Sequence, residues 1–405
     1  MKLIYLHQYF KFPDETGGTR SYDLATSFVK KGIEVVVVTA TSDINHKSKK
    51  KWKVIERDGL LVNYIYLPYG NHLSYFQRSF VFFKFLWFST FRLLKLKGDF
   101  VLATSTPLTI GIPALFKKWF GKTPYIFEVR DVWPEAVIAI GAIRNKMMQK
   151  LLYLLERVVY KNASAVVPLS TDMQKSIVNR YPQFTDKSSV VIENISEINR
   201  FQNIEDEIDL ENITGFKPRF SVLYAGTFGK VNGIDRVIDL AQKTLLIDDK
   251  LVYILIGTGA EKENVIQLAK QIGVFSKNVF ILDPVSKNEL PTWYNTTSMG
   301  SSFVINIKEL WANSANKFFD TLAAGKPILI NHEGWQAEII REYNIGYVLP
   351  PIITNKEASE FVKYTLDENH ILKQQENALS VAKEKYSLEV AVDKYLSVFN
   401  KISNK

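Results

Sequence analysis

Short apolar segments with the length of strands alternate with longer segments of helical periodicity along the whole chain. In the first half, this pattern predicts strands at Lys2–Tyr9, Glu34–Ala40, Leu61–Pro68, Phe100–Thr104, Tyr125–Val129, Ala165–Leu169 and Val190–Glu193. In the second half, it predicts strands at Phe220–Ala225, Leu251–Ile256, Val279–Leu282, Gly300–Ile305, Pro327–Asn331 and Gly346–Leu349. Strands that alternate with helices are typical of parallel, doubly wound sheets. The sequence therefore predicts an α/β protein with two Rossmann-like domains.

An acidic and weakly periodic stretch, residues 200–217, interrupts this pattern. We interpret it as a linker between an N-terminal domain of residues 1–199 and a C-terminal domain of residues 218–387. Residues 388–402 have the apolar spacing of a helix, which we expect to join the N-terminal domain. Because ligands of open α/β sheets bind at the carboxyl ends of the strands, we expect the two domains to face a cleft lined by the loops that follow strands.

Composition excludes several kinds of chemistry. The 405 residues include no cysteine, so thiolate catalysis, disulfides and cysteine-ligated zinc are excluded. The five histidines lack the spacing of metal ligands, and the first apolar run, Leu3–Leu6, is too short for a secretory signal. We therefore expect a cytoplasmic protein.

Charge is distributed unevenly between the two halves. Residues 1–190 carry 28 Lys and Arg against 14 Asp and Glu, whereas the rest of the chain carries 23 against 28. A basic half suggests an anionic partner, for which anionic lipid and nucleic acid are the candidates. We expect no nucleic acid, because most aromatic and basic residues concentrate in one predicted helix and form no recognisable binding module.

The segment Asn313–Leu329 is the most informative part of the chain. It sets a polar loop and a short helix before a Gly-Lys-Pro stop and a buried strand. On such a helix Asn316 and Asp320 lie one turn apart, with Lys317 beside them. An amide, an ammonium and a carboxylate at a helix N-terminus suit a phosphorylated ligand, because the helix end is itself positive. We therefore expect a nucleotide here.

Three glycine-containing turns follow predicted strands. Gly17-Gly18 precedes a predicted helix, and it either lets backbone amides approach a diphosphate or forms a plain turn. The other two turns are 225–230, with Thr227 and Lys230, and 257–259, with Gly257. Neither completes the Gly-x-Gly-x-x-Gly fingerprint with an acidic residue about 20 positions on, so a dehydrogenase is set aside.

A charged loop follows the predicted strand Tyr125–Val129. It contains Arg130, Asp131 and Glu135 around a Trp-Pro pair. Charges at the end of a buried strand are costly unless they are paired or used. Either Arg130 forms an ion pair with Asp131 or Glu135 that makes the loop rigid, or the loop acts on a ligand.

Together, these segments resemble a known family of enzymes. The Gly-Gly loop, the Arg-Asp-x-Trp-Pro loop, the Gly-Thr-Gly turn and the Asn-Lys-Phe-Phe-Asp-x-Leu-Ala-Ala-Gly-Lys-Pro segment look like the retaining GT-B glycosyltransferases of family 4. More narrowly, the chain resembles bacterial O-antigen and capsule N-acetylfucosaminyltransferases. The resemblance implies a hexosyltransferase whose donor is a UDP-sugar. UDP-N-acetylfucosamine, UDP-N-acetylquinovosamine and UDP-N-acetylglucosamine are left open as donors.

The resemblance also assigns roles to residues. Asp320 corresponds to the second glutamate of the family's Glu-x7-Glu motif, which binds the nucleotide ribose. The first glutamate falls at Ala312, and Glu309, Asn313 or Asn316 could take its place. Candidate catalytic residues are then Arg130, Asp131 and Lys317, and candidate donor-binding residues are Gly17, Gly18, Thr227, Lys230, Gly257, Val285, Asn313, Asn316 and Asp320.

Electrostatics indicates how these residues would act. The family's diphosphate-binding Arg and Lys fall at Thr227 and Asn232, so Lys230 and Lys317 are the candidate replacements. Departure of a nucleoside diphosphate leaves negative charge, which these two lysines and the amides of the Gly-Gly loop would stabilise. The chain contains no Asp-x-Asp motif, on which metal-dependent transferases usually hold the diphosphate, so we expect no metal and no other cofactor. Val285 corresponds to the family's uracil-binding segment.

The segment Tyr75–Lys97 contains nine aromatic and five basic residues and no acidic one. It is not predicted to span a membrane, because charged residues interrupt its apolar run. One stripe of the helix, predicted to face the core, contains Phe76, Phe83, Trp87, Phe91 and Leu94. The residues predicted to meet lipid headgroups or the acceptor are Lys84, Phe85, Phe88, Arg92 and Lys95. A solvated basic face with two stray aromatics is the alternative.

These features suggest a polyprenyl-diphosphate-linked saccharide as the acceptor, reached from the inner face of the cell membrane, where we expect the protein to bind an anionic surface peripherally. Two alternatives stay open. One is a GT-B UDP-sugar epimerase, and the other is a non-catalytic GT-B subunit that binds lipid or a partner.

Overall fold

The computed structural model describes residues 1–15, 17–68, 75–105 and 107–403, and for residues 75–79 only the backbone. The chain forms two compact units. The first contains Met1–Glu193 and Ala391–Lys405, and the second contains Asn194–Val390. Each unit is built on one largely parallel sheet flanked by helices, which confirms the predicted α/β fold class.

The first unit contains a sheet of seven described strands in the order β3-β4-β2-β1-β5-β6-β7. The strands are β1 (Lys2–Leu6), β2 (Glu34–Thr41), β3 (Trp52–Arg57), β4 (Leu60–Tyr66), β5 (Phe100–Thr104), β6 (Tyr125–Val129) and β7 (Ala165–Pro168). The helices are α1 (Arg20–Lys30), α2 (Tyr75–Lys95), α3 (Gly111–Gly121), α4 (Glu135–Ala139), α5 (Lys146–Asn162) and α6 (Thr171–Arg180). Among these strands, only β3 and β4 pair antiparallel.

The second unit contains a sheet of six described, parallel strands in the order β10-β9-β8-β11-β12-β13. The strands are β8 (Phe220–Ala225), β9 (Leu251–Ile256), β10 (Val279–Leu282), β11 (Met299–Ser302), β12 (Ile328–Ile330) and β13 (Gly346–Val348). The helices are α7 (Ile198–Phe201), α8 (Leu210–Thr214), α9 (Ile234–Leu245), α10 (Lys262–Gln271), α11 (Leu290–Thr296), α12 (Asn316–Ala323), α13 (Trp335–Tyr343), α14 (Asn355–Thr365) and α15 (Glu368–Lys385). The last helix, α16 (Leu388–Ser403), belongs to the first unit from Ala391 onward.

The central strands of the first sheet are buried on both faces, which explains their continuous apolar sequences. On one face, Ile4, Val101 and Phe127 pack with residues of α2, α3 and α5. On the other face, Phe28 of α1 lies against Phe399 of α16, with ring centroids 5.1 Å apart. Both faces of the sheet are therefore covered by helices.

Strand β3 has no counterpart among the predicted strands. It is an edge strand with largely charged and exposed side chains, so its sequence lacks an apolar signal. Asp58 and Gly59 join it to β4 with positive φ angles of 54° and 76°, as a two-residue hairpin turn requires. The Asp-Gly pair is the signal by which this hairpin could have been found.

Residues 190–193, which the sequence predicts as a strand, do not form one. The amide of Ile192 donates to the carbonyl of Pro168 at 3.1 Å. The carbonyls of Ile192 and Glu193 instead accept hydrogen bonds from Arg20 Nη2 at 3.3 and 3.2 Å. A side chain thus takes the place of a neighbouring strand.

The stretch predicted as a linker, residues 200–217, is part of the second unit. It includes the end of α7 and all of α8. Its apolar side chains, Phe201, Ile208, Leu210, Ile213 and Phe216, pack in one cluster with residues of β8, β9 and α11. Burial of these side chains outweighs the acidic composition that suggested a linker.

The face of helix α2 that packs on the sheet is not the predicted one. Phe85, predicted to meet lipid, is fully buried in the core with Leu93. Phe83, Trp87 and Phe91, predicted as core, are exposed. The helix is apolar on both faces, so periodicity alone could not select the buried one. The side chain of Phe76 lies outside the described residues.

The other residues predicted to meet lipid have different surroundings. Phe88 is half-buried, with Lys51 Nζ 4.2 Å from its ring centroid. Arg92 donates from Nε to Asn63 Oδ1 at 2.9 Å, whereas Lys84 and Lys95 are exposed. Among the described residues, no helix combines the length and the apolar character needed to cross a membrane.

Replacing Phe85 with alanine is expected to lower the free energy of unfolding by about 3–5 kcal/mol, because it leaves a cavity under α2. Phe83→Ala on the same helix removes the same group from an exposed position and serves as the matched control. Urea unfolding of the purified full chain measures both variants. Equal stability of the two variants would contradict the burial of Phe85.

Candidate functional site

Two glycine turns at the carboxyl ends of β8 and β9 interlock in the second unit. A Cβ on Gly257 would lie 1.9 Å from the carbonyl oxygen of Gly226, and one on Gly259 would lie 2.3 Å from that of Phe228. The amide of Phe228 donates to the carbonyl of Thr258 at 2.9 Å. Gly257, predicted to bind the donor, therefore has a structural reason to be glycine: only glycine lets the two turns approach this closely.

Helix α12 brings Lys317 to the same place. Lys317 Nζ would lie 3.3 Å from a Cβ at Gly226, and it lies 4.9 Å from the centroid of the Tyr224 ring. The helix packs closely on β11, because a Cβ at Gly300 would lie 2.2 Å from Thr321 Oγ1. The ammonium group is thereby placed at the turn that follows β8, where Thr227 is exposed.

The electrostatic surroundings of Lys317 suit an anionic ligand. Burial lowers the pKa of its ammonium group to about 8, and Asp320 opposes this shift. An ammonium group that is poorly solvated gains more from a bound anion than one that is surrounded by water. Lys317 is therefore a strong candidate for contact with a phosphate group.

Asp320 lies one helical turn further along and is surrounded by charged groups. Burial and the nearby Glu197 raise the pKa of its carboxyl group to about 7, whereas Arg200, Lys287 and Lys317 act to lower it. The carboxyl group therefore changes its protonation state near neutral pH. Its capacity to accept hydrogen bonds from a ligand depends on pH in the same range.

The three charges around Asp320 bind one another. Arg200 Nη1 donates to Glu197 Oε2 at 2.9 Å, and Lys287 Nζ donates to Glu197 Oε1 at 3.3 Å. Arg200 also donates from Nη2 to the carbonyl of Lys287 at 2.8 Å. Sequence analysis missed this cluster, because its members come from distant segments and no local motif contains them.

Asn313 and Asn316 hold the loop before α12. The carbonyl of Asn313 accepts from Trp335 Nε1 at 2.9 Å and from Gln336 Nε2 at 3.0 Å. Asn316 Oδ1 accepts from Asn194 Nδ2 at 2.8 Å. Both predicted donor-binding residues therefore fix the start of the helix that carries Lys317 and Asp320.

The remaining candidates of this unit also follow strands. Lys230 is exposed in a short helical turn after β8. Val285 follows β10 and is half-buried against a cluster that contains Ile256 and Trp293. Since β8, β9 and β10 are neighbours in a parallel sheet, these residues lie at one edge of the sheet. Glu309, a candidate for the missing glutamate, is exposed in the turn 308–310.

In the first unit, the carboxyl ends of β1 and β6 bring His7 and Arg130 together. Burial and the nearby Arg130 lower the pKa of His7 to about 3, so this imidazole is neutral at physiological pH. The amide of Arg130 is held by Ser105 Oγ at 2.9 Å. Asp131 follows in the same loop and is half-buried.

Glu135 of this loop has a different partner from the one that sequence analysis considered. It forms an ion pair with Arg180 of α6 and accepts a hydrogen bond from Ser176 Oγ at 2.7 Å. Arg180 also pairs with the buried Glu156 of α5. Glu135 and its loop are therefore held against α6. The ion pair with Arg180 takes the place of the Arg130–Glu135 pair that the sequence suggested.

A buried ion pair connects the Gly-Gly loop to this region. Gly17 and Gly18 are exposed just before α1, and Gly17 has a φ of 135° that favours glycine. Arg20 at the start of α1 forms an ion pair with Glu128 of β6, which also accepts a hydrogen bond from the Tyr395 hydroxyl of α16. The two loops that follow β1 and β6 are thus anchored by neighbouring residues.

Burial acts to raise the pKa of Glu128, but Arg20, Arg130 and the Tyr395 hydroxyl outweigh it and hold this pKa below its ordinary value.

In the described part of the chain, no three His, Cys, Asp or Glu side chains are grouped as ligands for a metal ion.

Two family models match the chain. The Glycosyl transferase 4-like domain matches residues 16–191, and Glycosyl transferases group 1 matches residues 206–385. Together they extend over most of both units.

Two curated proteins are similar in sequence. The putative colanic acid biosynthesis glycosyl transferase WcaI of Escherichia coli (strain K12) is 23% identical over 276 residues, which are 62% of this chain and 66% of that protein. The spore coat protein SA of Bacillus subtilis (strain 168) is 21% identical over 251 residues, which are 58% of this chain and 64% of that protein. The alignments span just under two thirds of each relative.

Solved structures are similar over the whole length. Sucrose-phosphate synthase from Thermosynechococcus elongatus has a TM-score of 0.77 at 14% identity and covers 100% of this chain and 99% of its own. Anabaena Alr3699/HepE in complex with UDP-glucose has a TM-score of 0.72 at 15% identity and covers 100% of both chains. The alpha,alpha-trehalose 6-phosphate synthase of Burkholderia multivorans has a TM-score of 0.75 at 10% identity and covers 99% of this chain and 98% of its own. These likenesses show the fold.

Proposed function

Because the chain belongs to the GT-B glycosyltransferases, with a glycosyl transferase 4-like domain followed by a group 1 domain, we propose that it transfers a sugar from a UDP-sugar with retention of configuration. The observation that carries this proposal is the position of Lys317 and Asp320 on one helix beside the glycine turn of β8. A cation at a turn and a carboxyl group one helical step away match the diphosphate and the ribose of a nucleotide. The Anabaena neighbour is described in complex with UDP-glucose.

In this proposal, the departing diphosphate is stabilised by Lys317 at the turn that follows β8 and by the solvent-exposed Lys230. Charge that develops on the leaving group is best stabilised by groups already in place. Lys317 is such a group, because the close packing of α12 on β11 fixes the backbone from which it extends. The two lysines supply the positive charge that a metal ion gives to other transferases, so we propose a reaction without metal or other cofactor.

The nucleoside is proposed to lie along the same edge of the sheet. Asp320 would accept hydrogen bonds from the ribose hydroxyls, and the half-buried Val285 would contact the uracil ring. The charges of Glu197, Arg200 and Lys287 would adjust the pKa of Asp320, which burial raises. In the first unit, Arg130, with Asp131 beside it, would contact the sugar to be transferred.

We further propose that the sugar is an N-acetylated hexose and that the acceptor is a polyprenyl-diphosphate-linked saccharide of bacterial surface polysaccharide synthesis. The fucosamine type of donor is supported by the resemblance of the sequence motifs. The acceptor is supported by the basic first half of the chain and by the name of the E. coli relative, which refers to colanic acid biosynthesis. The reaction would then take place at the inner face of the cell membrane.

Calorimetric titration of UDP into the purified protein in the presence of EDTA tests the donor site. We expect saturable micromolar binding, which Asp320→Ala weakens by about tenfold or more, because the charge-assisted hydrogen bonds from the ribose to this half-buried carboxyl group are lost. Glu360→Ala, at an exposed carboxylate on α14, is the matched control and should bind as the wild type does.

The outcomes separate the possible functions. Absence of UDP binding to the wild type would refute the proposed donor site and favour a non-catalytic subunit. UDP binding with conversion of UDP-N-acetylglucosamine in the absence of any acceptor would favour an epimerase instead. Binding that appears only after a divalent metal is added would refute the metal-independent reaction.

A further inference from the structure

Among the described residues of the first unit, seven aromatic side chains face away from its core. Phe80, Phe83, Trp87 and Phe91 lie on α2, and Phe116, Trp119 and Phe120 lie on α3. Each is between 37% and 71% exposed. We call this surface the aromatic face. Soluble proteins rarely expose so many large apolar groups together, and such a patch marks a surface that meets a partner.

The two helices that carry these side chains pack side by side. Helix α2 packs along α3, and the buried Lys117 of α3 donates to the carbonyl of Leu96, just after α2, at 2.7 Å. Within the face, Trp87 lies 5.0 Å from Phe91, and Phe116 lies 5.7 Å from Phe120, measured between ring centroids.

Helix α5 extends this surface on the far side of α3. Trp119 Nε1 donates to Asn162 Oδ1 at 3.3 Å, and the neighbouring Lys118 Nζ donates to the carbonyl of Asn162 at 2.5 Å. Toward its N-terminus, α5 exposes further apolar side chains, namely Met147, Met148, Leu151 and Leu154. Each of these three adjacent helices therefore exposes large apolar side chains.

The charges on these helices have one sign. Helices α2, α3 and α5 contain a single acidic residue, Glu156. Its side chain is buried and paired with Arg180, so it does not offset the surface charge. Lys84, Lys95 and Lys150 are exposed on the same helices. The partner of this surface must therefore accept both apolar rings and positive charges.

We propose that the aromatic face docks the first unit on an anionic lipid bilayer. Aromatic rings enter the boundary between headgroups and acyl chains, while lysines at their margin contact the anionic headgroups. A second copy of the chain fits less well, because a symmetric dimer through this face would place lysine against lysine. The face differs from the predicted lipid contact, since Phe85 is core and Phe83 and Trp87 point outward.

This inference specifies where the proposed acceptor would be met, and in that respect it rests on the proposed function. Docking itself needs neither UDP nor an acceptor. It is therefore tested on vesicles that contain no lipid-linked sugar, so that a failure of docking and a failure of sugar transfer are distinguished.

The experiment is flotation of the full chain with phosphatidylcholine vesicles, with and without phosphatidylglycerol. The wild type should float with the anionic vesicles and be released by salt. A variant with Phe83→Ser, Trp87→Ser and Phe120→Ser should partition at least about tenfold less, because binding scales with the apolar area that is buried. The control is Leu246→Ser, at an 85% exposed leucine of the second unit, and it should float unchanged.

A second measurement reports the face directly. Tryptophan fluorescence, to which Trp87 and Trp119 contribute from the face, should be partly quenched by brominated lipid acyl chains in the wild type. The triple variant retains Trp119, and its fluorescence should not be quenched. Urea unfolding should be equal in both, because the replaced side chains are exposed. Failure of the wild type to float overturns the proposal, and so does equal flotation of the triple variant. A concentration-dependent dimer that the triple variant abolishes, without vesicle binding, would assign the face to a second copy instead.

Discussion

Replacement of Lys317 by methionine is expected to reduce sugar transfer by about 100- to 1000-fold, the range seen when a preorganised group that stabilises a leaving charge is removed. Methionine fills a similar volume beside the Tyr224 ring, so the packing of α12 should persist. The rate is measured with the UDP-sugar and acceptor identified by a screen, and UDP affinity is measured separately by calorimetry.

The physical reason is the position of the ammonium group. Lys317 Nζ lies against Gly226, at the end of a strand, and burial has already removed part of its water. A half-buried cation beside a departing diphosphate interacts more strongly than a fully solvated one, because less solvent screens it. Lys230→Met is the matched control, since Lys230 is exposed nearby, and it should cost about tenfold or less.

The same residues predict how donor binding depends on pH. Lys317 has a pKa of about 8, so UDP affinity should fall as the pH rises through this value and the ammonium group loses its proton. Asp320 has a pKa of about 7, so affinity should also fall on acidification, when the carboxylate that accepts ribose hydroxyls becomes protonated. The alkaline decrease should be absent from Lys317→Met, and the acidic decrease should be absent from Asp320→Asn.

Two results would contradict this account. If Lys317→Met retained transfer within a few-fold of the wild type while Lys230→Met did not, the exposed lysine would be the main cation. If the pH dependence of UDP binding were unchanged in both variants, the two side chains would not contact the nucleotide.

The strands of the second unit show where sequence alone is sufficient. Leu251–Ile256 and Val279–Leu282 were predicted with the bounds that the structure gives them. Strand β9 is interior and fully buried, and β10, although it lies at the edge of the sheet, is apolar throughout, so in both cases the apolar run starts and stops with the strand. Strand β3 has no such apolar run, and the Asp58-Gly59 turn is the feature of its sequence that indicates a hairpin.

The candidate site divides in the same way. Lys317 and Asp320 were found because they share one helix, and helical spacing alone places them on adjacent turns. Burial is the main cause of the raised pKa of Asp320, and Glu197, Arg200 and Lys287, which modify it, come from segments far apart in sequence. A contact between distant segments leaves no periodic trace, so it becomes visible only with the fold.

Helix α2 illustrates a different limit. Both of its faces are rich in aromatic residues, so the larger stripe was assigned to the core. The structure buries the face with Phe85 and the small Ser89 instead. A functional surface that is as apolar as a core therefore misleads any prediction that equates apolar with buried.

Replacement of Arg20 by methionine is expected to destabilise the first unit by about 3–5 kcal/mol, because it leaves the carboxylate of Glu128 buried without its counter-ion. Both side chains are almost completely inaccessible to solvent. Arg20 Nη2 also holds the carbonyls of Ile192 and Glu193, so the end of the unit loses its attachment as well. Urea unfolding of the full chain near pH 7 measures the loss.

The pH dependence of this loss distinguishes a lost charge partner from lost packing. In the wild type the pKa of Glu128 is lowered, so its contribution to stability is present above the pKa of the unfolded state and decreases as the pH falls through the folded pKa. In Arg20→Met, burial should instead raise the pKa of Glu128 above its unfolded value, so acidification should stabilise the variant relative to the wild type. The difference in unfolding free energy between the wild type and Arg20→Met should therefore narrow between pH 7 and pH 5.

Addition of Glu128→Gln to Arg20→Met should restore part of the stability at pH 7, because the uncompensated charge is gone. A difference that is independent of pH and unaffected by Glu128→Gln would mean that Arg20 acts through packing and the two carbonyls alone.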